Sequence, residues 1–371
     1  MTVATPAPTP APKPAATPAP GPPPAGEGKG RRLSFALLLA LLAALVLLAA
    51  TAAIALGSVR IPAGQVWGIL LHRLHPALAD PGWSPVHETI VWDVRLPRVL
   101  LAGAVGAGLA VCGMALQALV RNPLADPMLL GISSGATVGA VLVVVFNVTV
   151  LGLFTLPLAA FAGALGALVA VYLLALGTDG RMTSLRLVLA GVATAEVLSA
   201  VVGFLVVTSG DPRKTQSALR WMLGGLAGST WRLVWIPLAV VVLGTAVLLA
   251  VARPLNLLLA GEEAAAALGL DVHRFRSAMF VLVAVMVGAA VAVSGTIGFV
   301  GLILPHVVRL LVGADHRRAL PAAALLGAAF LIAADLAART LISPEEIPVG
   351  VLTALAGGPF FLWLMRRRAA R

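Results

Sequence analysis

The sequence is short of charge, cysteine and tyrosine. Its 371 residues include 26 Lys and Arg and 15 Asp and Glu, so 11% are charged, whereas 60% are hydrophobic. Soluble domains carry about a quarter charged residues, so this composition excludes a soluble globular enzyme, a disordered protein and a coiled coil. The single cysteine, Cys112, lies in an apolar stretch and has no partner for an intrachain disulfide. A polytopic membrane protein remains.

Patterns typical of catalysis are also missing. The sequence contains no GxxxxGK[ST] nucleotide loop, no HExxH motif and no His/Cys cluster. His72, His75 and His87 share one polar stretch, where a solvated histidine is the simplest interpretation. We therefore expect no catalytic residue, no metal and no cofactor bound by this chain, and ATP hydrolysis, if any, by a partner.

The net charge of +11 could indicate nucleic-acid binding. However, the 23 arginines and 3 lysines are spread over the segments between apolar stretches. That distribution is typical of membrane-protein loops. We expect the chain to lie in a lipid bilayer and not to bind nucleic acid.

Ten apolar segments follow a tail of residues 1–32, which is rich in Pro and Ala and is expected to be disordered. The first run, Leu33–Gly57, is too long for a cleaved signal peptide. The stretch 277–312 is too long for one helix across a core of about 30 Å, and Ser294-Gly295-Thr296 breaks it into two spans. The other predicted spans are 96–120, 128–146, 155–176, 186–207, 233–251, 320–341 and 349–365. Residues 33–371 thus form an all-α polytopic domain with about ten transmembrane helices.

Arginine positions predict the orientation. Segments that would lie inside with an internal N-terminus carry most of the loop arginines, in agreement with the positive-inside tendency. They are Arg121, Arg181, Arg186, Arg253, Arg274, Arg276, Arg317 and Arg318, with three more at 366–368. We expect a multi-pass protein of the cell membrane with both termini cytoplasmic, and an external loop at 58–95 that contains an interfacial helix.

Small residues recur every four positions in two spans, at Gly131, Gly135 and Gly139 and at Ala102, Gly106 and Ala110. Such stripes let helix backbones approach closely in lipid. Packing explains them, and a place along a pore is the alternative.

The polar insert 253–276 predicts two short helices, broken at Gly261 and ended at Gly269. An amphipathic cytoplasmic helix with exposed leucines suits the groove of a partner. The alternative is a helix lying on the lipid headgroups.

Two acids fall inside predicted spans, where an ionisable group is costly. Asp335 has Arg339 four residues further on, on the same helix face. Glu196, in the middle of its span, has no such neighbour. It either lines a translocation path or is a protonated side chain bonded to an adjacent helix.

Several segments together resemble the FecCD-type permeases of ABC transporters, which import iron-siderophore complexes, haem and cobalamin. The resemblance covers about 33–371, and Glu196 departs from it because relatives carry an apolar or small residue there. The segments are RLPRVLLAGAVGAGLAVCGMALQALVRNPLADPMLLGISSGA (95–136), GEEAAAALGL (261–270), SGTIGFVGLILPHVVRLLVGADHRRALP (294–321), ADLAART (334–340) and IPVGVLTALAGGPFF (347–361).

The resemblance implies an ABC type II importer permease fold and a set of partners. These are a second permease subunit in a homodimer or heterodimer, two ATP-binding subunits that hold ATP and Mg, and an extracytoplasmic substrate-binding protein. The short helices at about 254–270 would be cytoplasmic coupling helices in the ATPase cleft. Gly261 and Gly269 would bound the inner one, and Glu262, Ala265 and Leu268 would contact the ATPase.

The same resemblance places basic residues against the binding protein's carboxylates. Arg60 and Arg339 match basic positions of the family, and Arg73 is a looser match. Arg60 could instead snorkel at the membrane interface. Arg339 could instead serve its pair with Asp335.

The expected function is that of the transmembrane permease of an ATP-driven importer for an iron(III)-siderophore complex, working by alternating access. Haem or cobalamin is the alternative cargo. An ion-coupled secondary carrier that uses Glu196 is the alternative of another class, and a membrane-embedded enzyme is disfavoured by the missing catalytic clusters.

Overall fold

The computed structural model of the chain describes residues 27–78, 80–176 and 184–369, and its regular elements there are helical. Most of the predicted disordered tail lies outside the described residues, as does Arg181. The fifteen α-helices of the described part are α1 Glu27–Ala55, α2 Ala63–Leu74, α3 Pro85–Thr89, α4 Leu96–Val120, α5 Ile132–Phe146, α6 Thr155–Ala175, α7 Ser184–Thr208, α8 Pro212–Met222, α9 Trp231–Ala250, α10 Ala252–Ala260, α11 Glu262–Ala267, α12 Val272–Ser294, α13 Val300–Val312, α14 His316–Thr340 and α15 Val349–Ala369.

The predicted all-α polytopic fold is confirmed. Seven helical segments of the described chain are long and apolar enough to cross a membrane: Phe35–Ala55, Pro85–Val120, Gly152–Ala175, Leu185–Thr208, Trp231–Ala250, Val272–Ser294 and His316–Thr340. Three shorter apolar helices, Ile132–Phe146, Val300–Val312 and Val349–Leu362, occupy the remaining predicted spans. The break predicted at 294–296 is present, because α12 ends at Ser294 and α13 begins at Val300.

Two predicted helix starts differ from the structure. The second apolar helix does not begin at Leu96, since helical backbone runs from Pro85 through α3 and a π-helical turn, Ile90–Arg95, into α4. Ser84 begins it as an N-cap, its side chain accepting a hydrogen bond from the backbone N–H of His87. The helix α1 begins at Glu27, before the predicted start of its span.

The small-residue stripes are packing surfaces. A Cβ on Gly106 of α4 would lie 2.2 Å from the carbonyl oxygen of Gly327 of α14. On α5, a Cβ on Gly135 would lie 2.3 Å from the oxygen of Gly163 of α6. Only glycine permits such close backbone contact. Gly131 is not on the α5 stripe, because it precedes the helix with a φ of 73°.

The bundle has two ends that carry most of its polar contacts. At the α11 end, α10 packs against α14 and α4, α11 packs against α12, and Asn256 of α10 accepts a hydrogen bond from the backbone N–H of His316 at 3.0 Å. At the α2 end, the C-terminus of α1 meets the start of α4 and the end of α14, where Arg339 donates to the carbonyl oxygen of Ala53 at 2.8 Å.

Candidate functional site

The two short helices at the α11 end are present as predicted, and glycine makes the break between them. α10 ends at Ala260, and Gly261 has a φ of 121° and a ψ of 156°, a conformation open in practice to glycine. α11 then covers Glu262–Ala267, and Gly269, with a φ of 86°, follows its end. The segment therefore turns sharply twice within nine residues of chain, from 261 to 269.

Polar contacts fix this segment to the bundle. Glu262 accepts a hydrogen bond from Nη2 of Arg276 on α12 at 2.6 Å, and that arginine side chain is only 4% exposed. Asn256 of α10 donates to Oδ1 of Asp315 at 2.7 Å, and its Oδ1 lies 2.7 Å from Nδ1 of His316. The short helices are thus bonded to α12 and to the start of α14.

The predicted ATPase contacts fall on different faces of α11. Leu268 is 70% exposed, an unusual position for a leucine at a helix end. The Glu262 side chain is 46% exposed despite its ion pair. The predicted ATPase contact of Ala265 is not possible in this conformation, because Ala265 is completely buried. Its methyl group packs the helix against the bundle, while Leu268 faces away.

The predicted docking arginines at the α2 end have different surroundings. Arg60 is exposed. Nε of Arg73 lies 2.7 Å from Oε1 of Glu88, and its guanidinium lies 5.7 Å from the centroid of the Trp92 ring, yet 44% of its side chain remains exposed. Arg339 is enclosed, with 8% of its side chain exposed.

Asp335 is the centre of a buried charge cluster that the sequence did not reveal. The predicted partner is present, since Nε of Arg339 lies 3.2 Å from Oδ2 of Asp335, an ion pair without hydrogen-bond geometry. The stronger partner is Arg98 of α4, whose Nε and Nη2 donate to Asp335 at 2.9–3.0 Å. Arg98 also donates to both carboxylate oxygens of Glu346, at 3.1 and 2.9 Å.

Two arginines hold the end of α1. Arg95 Nη1 donates to the carbonyl oxygen of Ile54 at 2.6 Å, and Nη2 donates to that of Val59, also at 2.6 Å. The last carbonyl groups of a helix lack intrahelical partners, so cationic donors stabilise them. Arg339 adds its bond to Ala53. The predicted docking residue Arg339 is thus tied into the scaffold that positions the chain leading to Arg60.

Glu196 lies at the middle of α7 and is exposed on the surface of this single chain. One helical turn away, Ser199 lines a cavity of about 240 Å³ that is rich in hydroxyl groups. The other residues lining it are Met128, Ser133, Ser134, Thr137, Val202, Met222 and Thr296. Glu196 does not line this cavity itself, but it lies three residues before Ser199 on the same helix.

Asp126 is a further buried acid, in the turn between α4 and α5. It is 7% exposed, and its Oδ1 accepts a hydrogen bond from the backbone N–H of Met128 at 2.8 Å. Burial raises the pKa of this carboxyl to about 6, although hydrogen bonds to the backbone of Met128 and Phe299 oppose that shift. In the described part of the chain, no three His, Cys, Asp or Glu side chains come together to hold a metal ion.

Apolar helices that cross a bilayer, a rigidly mounted pair of short helices at one end and basic residues at the other define a membrane permease built to contact partners at both ends. The chain belongs to the FecCD transport family, which matches residues 41–367. It is the permease subunit of an ABC importer of that family and a multi-pass membrane protein.

Similar proteins share most of this chain. The cobalamin import system permease protein BtuC of Halobacterium salinarum is 50% identical over 299 residues, which cover 80% of this chain and 79% of that protein. The hemin transport system permease protein HmuU of Yersinia pestis is 45% identical over 294 residues, 77% of this chain and 87% of that protein. A solved structure described as an inward-facing conformation of a metal-chelate type ABC transporter matches with a TM-score of 0.78 and 33% identity, over 90% of this chain and 99% of that one.

Proposed function

We propose that this chain is the transmembrane half of an ATP-driven importer that carries a cobalamin inward by alternating access. Two ATP-binding subunits, holding ATP and Mg, would dock at the α11 end, and an extracytoplasmic substrate-binding protein at the α2 end. A second permease subunit would complete the path. Both termini would then be cytoplasmic. The main observation behind the proposal is that two short helices, hydrogen-bonded to the bundle of a FecCD-family chain, leave Leu268 70% exposed at the α11 end.

The contacts at the α11 end suit a partner subunit that exerts a force on the short helices. Because Glu262 is joined to Arg276 and Asn256 to the start of α14, a force on the short helices acts on two long helices at once. Rigid-body rotation of packed elements is the usual form of such a transition. The buried Ala265 keeps α11 seated while Leu268 enters the partner's cleft.

At the α2 end, Arg60 is the leading docking residue because it is exposed. Arg73 contributes through the exposed part of its side chain. Arg339 acts indirectly, by holding the last turn of α1 through Ala53. Charges of this kind set the register and the association rate of a complex more than its affinity.

The choice of cargo is supported by the 50% identical cobalamin permease and by the hydroxyl groups near Glu196, which would form one part of a larger path completed by the second permease subunit. Five hydroxyl-bearing residues line that cavity, Ser133, Ser134, Thr137, Ser199 and Thr296, and none of its described lining residues is Arg or Lys. Hydroxyl groups and a carboxylate accept hydrogen bonds from amide N–H groups, which a cobalamin carries around its ring. The carboxylates of haem have no N–H groups to donate such hydrogen bonds. Cobalamin is therefore preferred over the siderophore first expected, and haem is the second candidate because of the 45% identical relative.

Uptake into proteoliposomes tests this proposal. The complete complex, with ATPase and binding protein, is offered cyanocobalamin, haem or a ferric siderophore, with and without ATP. We expect ATP-dependent uptake of cyanocobalamin. Transport by the permease alone under a proton gradient would support the secondary carrier instead, and uptake restricted to the ferric siderophore would overturn the choice of cargo.

The role of Glu196 is tested separately. Glu196→Gln keeps hydrogen bonding but removes the negative charge, and we expect it to narrow the preference for cyanocobalamin over haem. Val197→Ala, an equally exposed neighbour on α7, is the control for altering the helix surface. Glu196→Ala with normal assembly, ATPase activity and selectivity would exclude the carboxylate from the path.

A further inference from the structure

A second cavity lies at the α11 end, where α4, α10, α13 and α14 meet. It has a volume of about 270 Å³ and is lined by Met114, Gln117, Ala118, Arg121, Pro123, Leu259, Arg309, Ala314 and His316. Cavities that enclose drug-sized ligands measure about 300–1,000 Å³, so this one is too small for a metal chelate. It has room for a small polar headgroup.

Its lining is basic. Two arginines, Arg121 and Arg309, supply its positive charge, and none of the described lining residues is Asp or Glu. The neighbouring acid, Asp315, is not one of the lining residues; its Oδ1 accepts hydrogen bonds from Nδ2 of Asn256 at 2.7 Å and from the backbone N–H of Arg317 at 3.1 Å. Arginine presents a planar fork of donors that matches phosphate oxygens.

The arginines are placed by the fold. Arg309, half-buried on α13, contacts Gln117 through Nη2 and the sulfur of Met114 through Nη1 at 3.5 Å. Arg121 follows α4 in a left-handed conformation, with a φ of 55°, which directs the chain out of the helix. The C-termini of α4 and α13 and the N-terminus of α14 leave a remainder of about half a negative charge at the cavity, which the two full positive charges of the guanidinium groups outweigh.

Exposed leucines either line this basic cavity or follow a lining residue in the chain. Leu259, which lines it, is 44% exposed, and Leu310 and Leu311, next to Arg309 in the chain, are 72% and 52% exposed. A basic pocket beside apolar surface at the end of a membrane helix bundle suits an amphiphile with a negative head. A soluble anion would use the arginines but not the leucines.

We propose that this cavity binds the phosphate headgroup of an anionic phospholipid, with the acyl chains lying along the exposed leucines. The lipid belongs to the leaflet that faces the α11 end. Leu259 is in the last turn of α10, and His316 contacts Asn256 of the same helix. The bound headgroup therefore stabilises the position of the short helices against the bundle. This site is independent of the cargo.

The test uses the full-length chain in nanodiscs or detergent, with phosphatidylglycerol, phosphatidylcholine or inorganic phosphate as the probe. Native mass spectrometry counts retained lipid, and thermal unfolding measures stabilisation. We expect tight retention of phosphatidylglycerol and not of phosphatidylcholine. A basic residue near the membrane surface contributes about 1 kcal/mol, so Arg121→Gln should bind phosphatidylglycerol about fivefold more weakly.

Two further variants make the result decisive. Arg253→Gln removes an equally exposed charge from α10, outside the cavity lining, and should bind as the wild type does. Arg309→Lys keeps the charge but loses the contacts with Gln117 and Met114 that place it, and should weaken binding without unfolding the chain. Equal losses in Arg121→Gln and Arg253→Gln would show a diffuse surface effect and overturn the site. Competition by inorganic phosphate with no lipid preference would overturn the lipid as its ligand.

Discussion

Replacing Leu268 by aspartate should disconnect the permease from its ATPase while leaving the membrane domain folded. Full burial of a leucine side chain is worth about 1.5–3 kcal/mol. Because 70% of Leu268 is exposed in the single chain, about 1–2 kcal/mol of that is available to a partner. Leu268→Ala should therefore weaken ATPase binding about 5- to 30-fold per site. Leu268→Asp should abolish it, because a carboxylate must also lose its water at a cost of several kcal/mol.

The assay measures the affinity of the purified ATPase subunit for nanodisc-embedded permease, followed by ATP-dependent uptake. Leu341→Asp is the matched control, since Leu341 is 63% exposed but lies at the α2 end. Its affinity for the ATPase subunit should be unchanged. If Leu268→Asp binds the ATPase as tightly as the wild type, the assignment of the short helices as the coupling contact is refuted.

Two further predictions concern stability, measured by unfolding in a titration with sodium dodecyl sulfate. Asp335→Ala should lower the free energy of unfolding by about 3–5 kcal/mol, because it leaves the buried Arg98 and Arg339 without their shared carboxylate. Adding Arg98→Met should recover part of that loss, and equal loss in the single and double variants would contradict the pairing. For Asp126 the pKa is about 6 in the folded chain against an ordinary 3.8, so ionisation disfavours folding and stability falls as the pH rises from about 4 to about 6. Asp126→Asn should match the wild type below that window and exceed it above by up to about 3 kcal/mol, and a constant difference at all pH values would refute the shift.

Local patterns in the sequence were sufficient to predict the helices and the breaks between them. The apolar run that ends at Ser294 could not continue across a bilayer, and Gly295 with a φ of 65° is where the chain turns. Gly261 likewise predicted the division between α10 and α11. These features depend on helix length and backbone conformation, which neighbouring residues determine.

Contacts between distant parts of the chain could not be predicted in this way. The sequence offered Asp335 only the partner four residues away, whereas Arg98 lies 237 residues earlier and belongs to another helix. The inward face of Ala265 was missed for a similar reason, since a six-residue helix of Glu and Ala, EEAAAA, has too little pattern to show which side packs. The basic cavity also joins residues of four helices and leaves no local signature.

The long helix α14 connects the two candidate sites mechanically. It begins at His316, bonded to Asn256 of α10, and reaches Asp335 about 28 Å further along, at about 1.5 Å per residue. Between these points Gly327 and Gly106 bring the backbones of α14 and α4 together. A Cβ on either glycine would lie 2.2–2.3 Å from the carbonyl oxygen of the other. The two helices therefore cannot slide past each other without losing this contact. At the far end, Arg98 of α4 binds Asp335 of α14 and locks the same pair again. A pull on α10 should therefore displace α4 and α14 together and carry the buried charge cluster with them, as a rigid-body motion and not as a bend within this pair of helices.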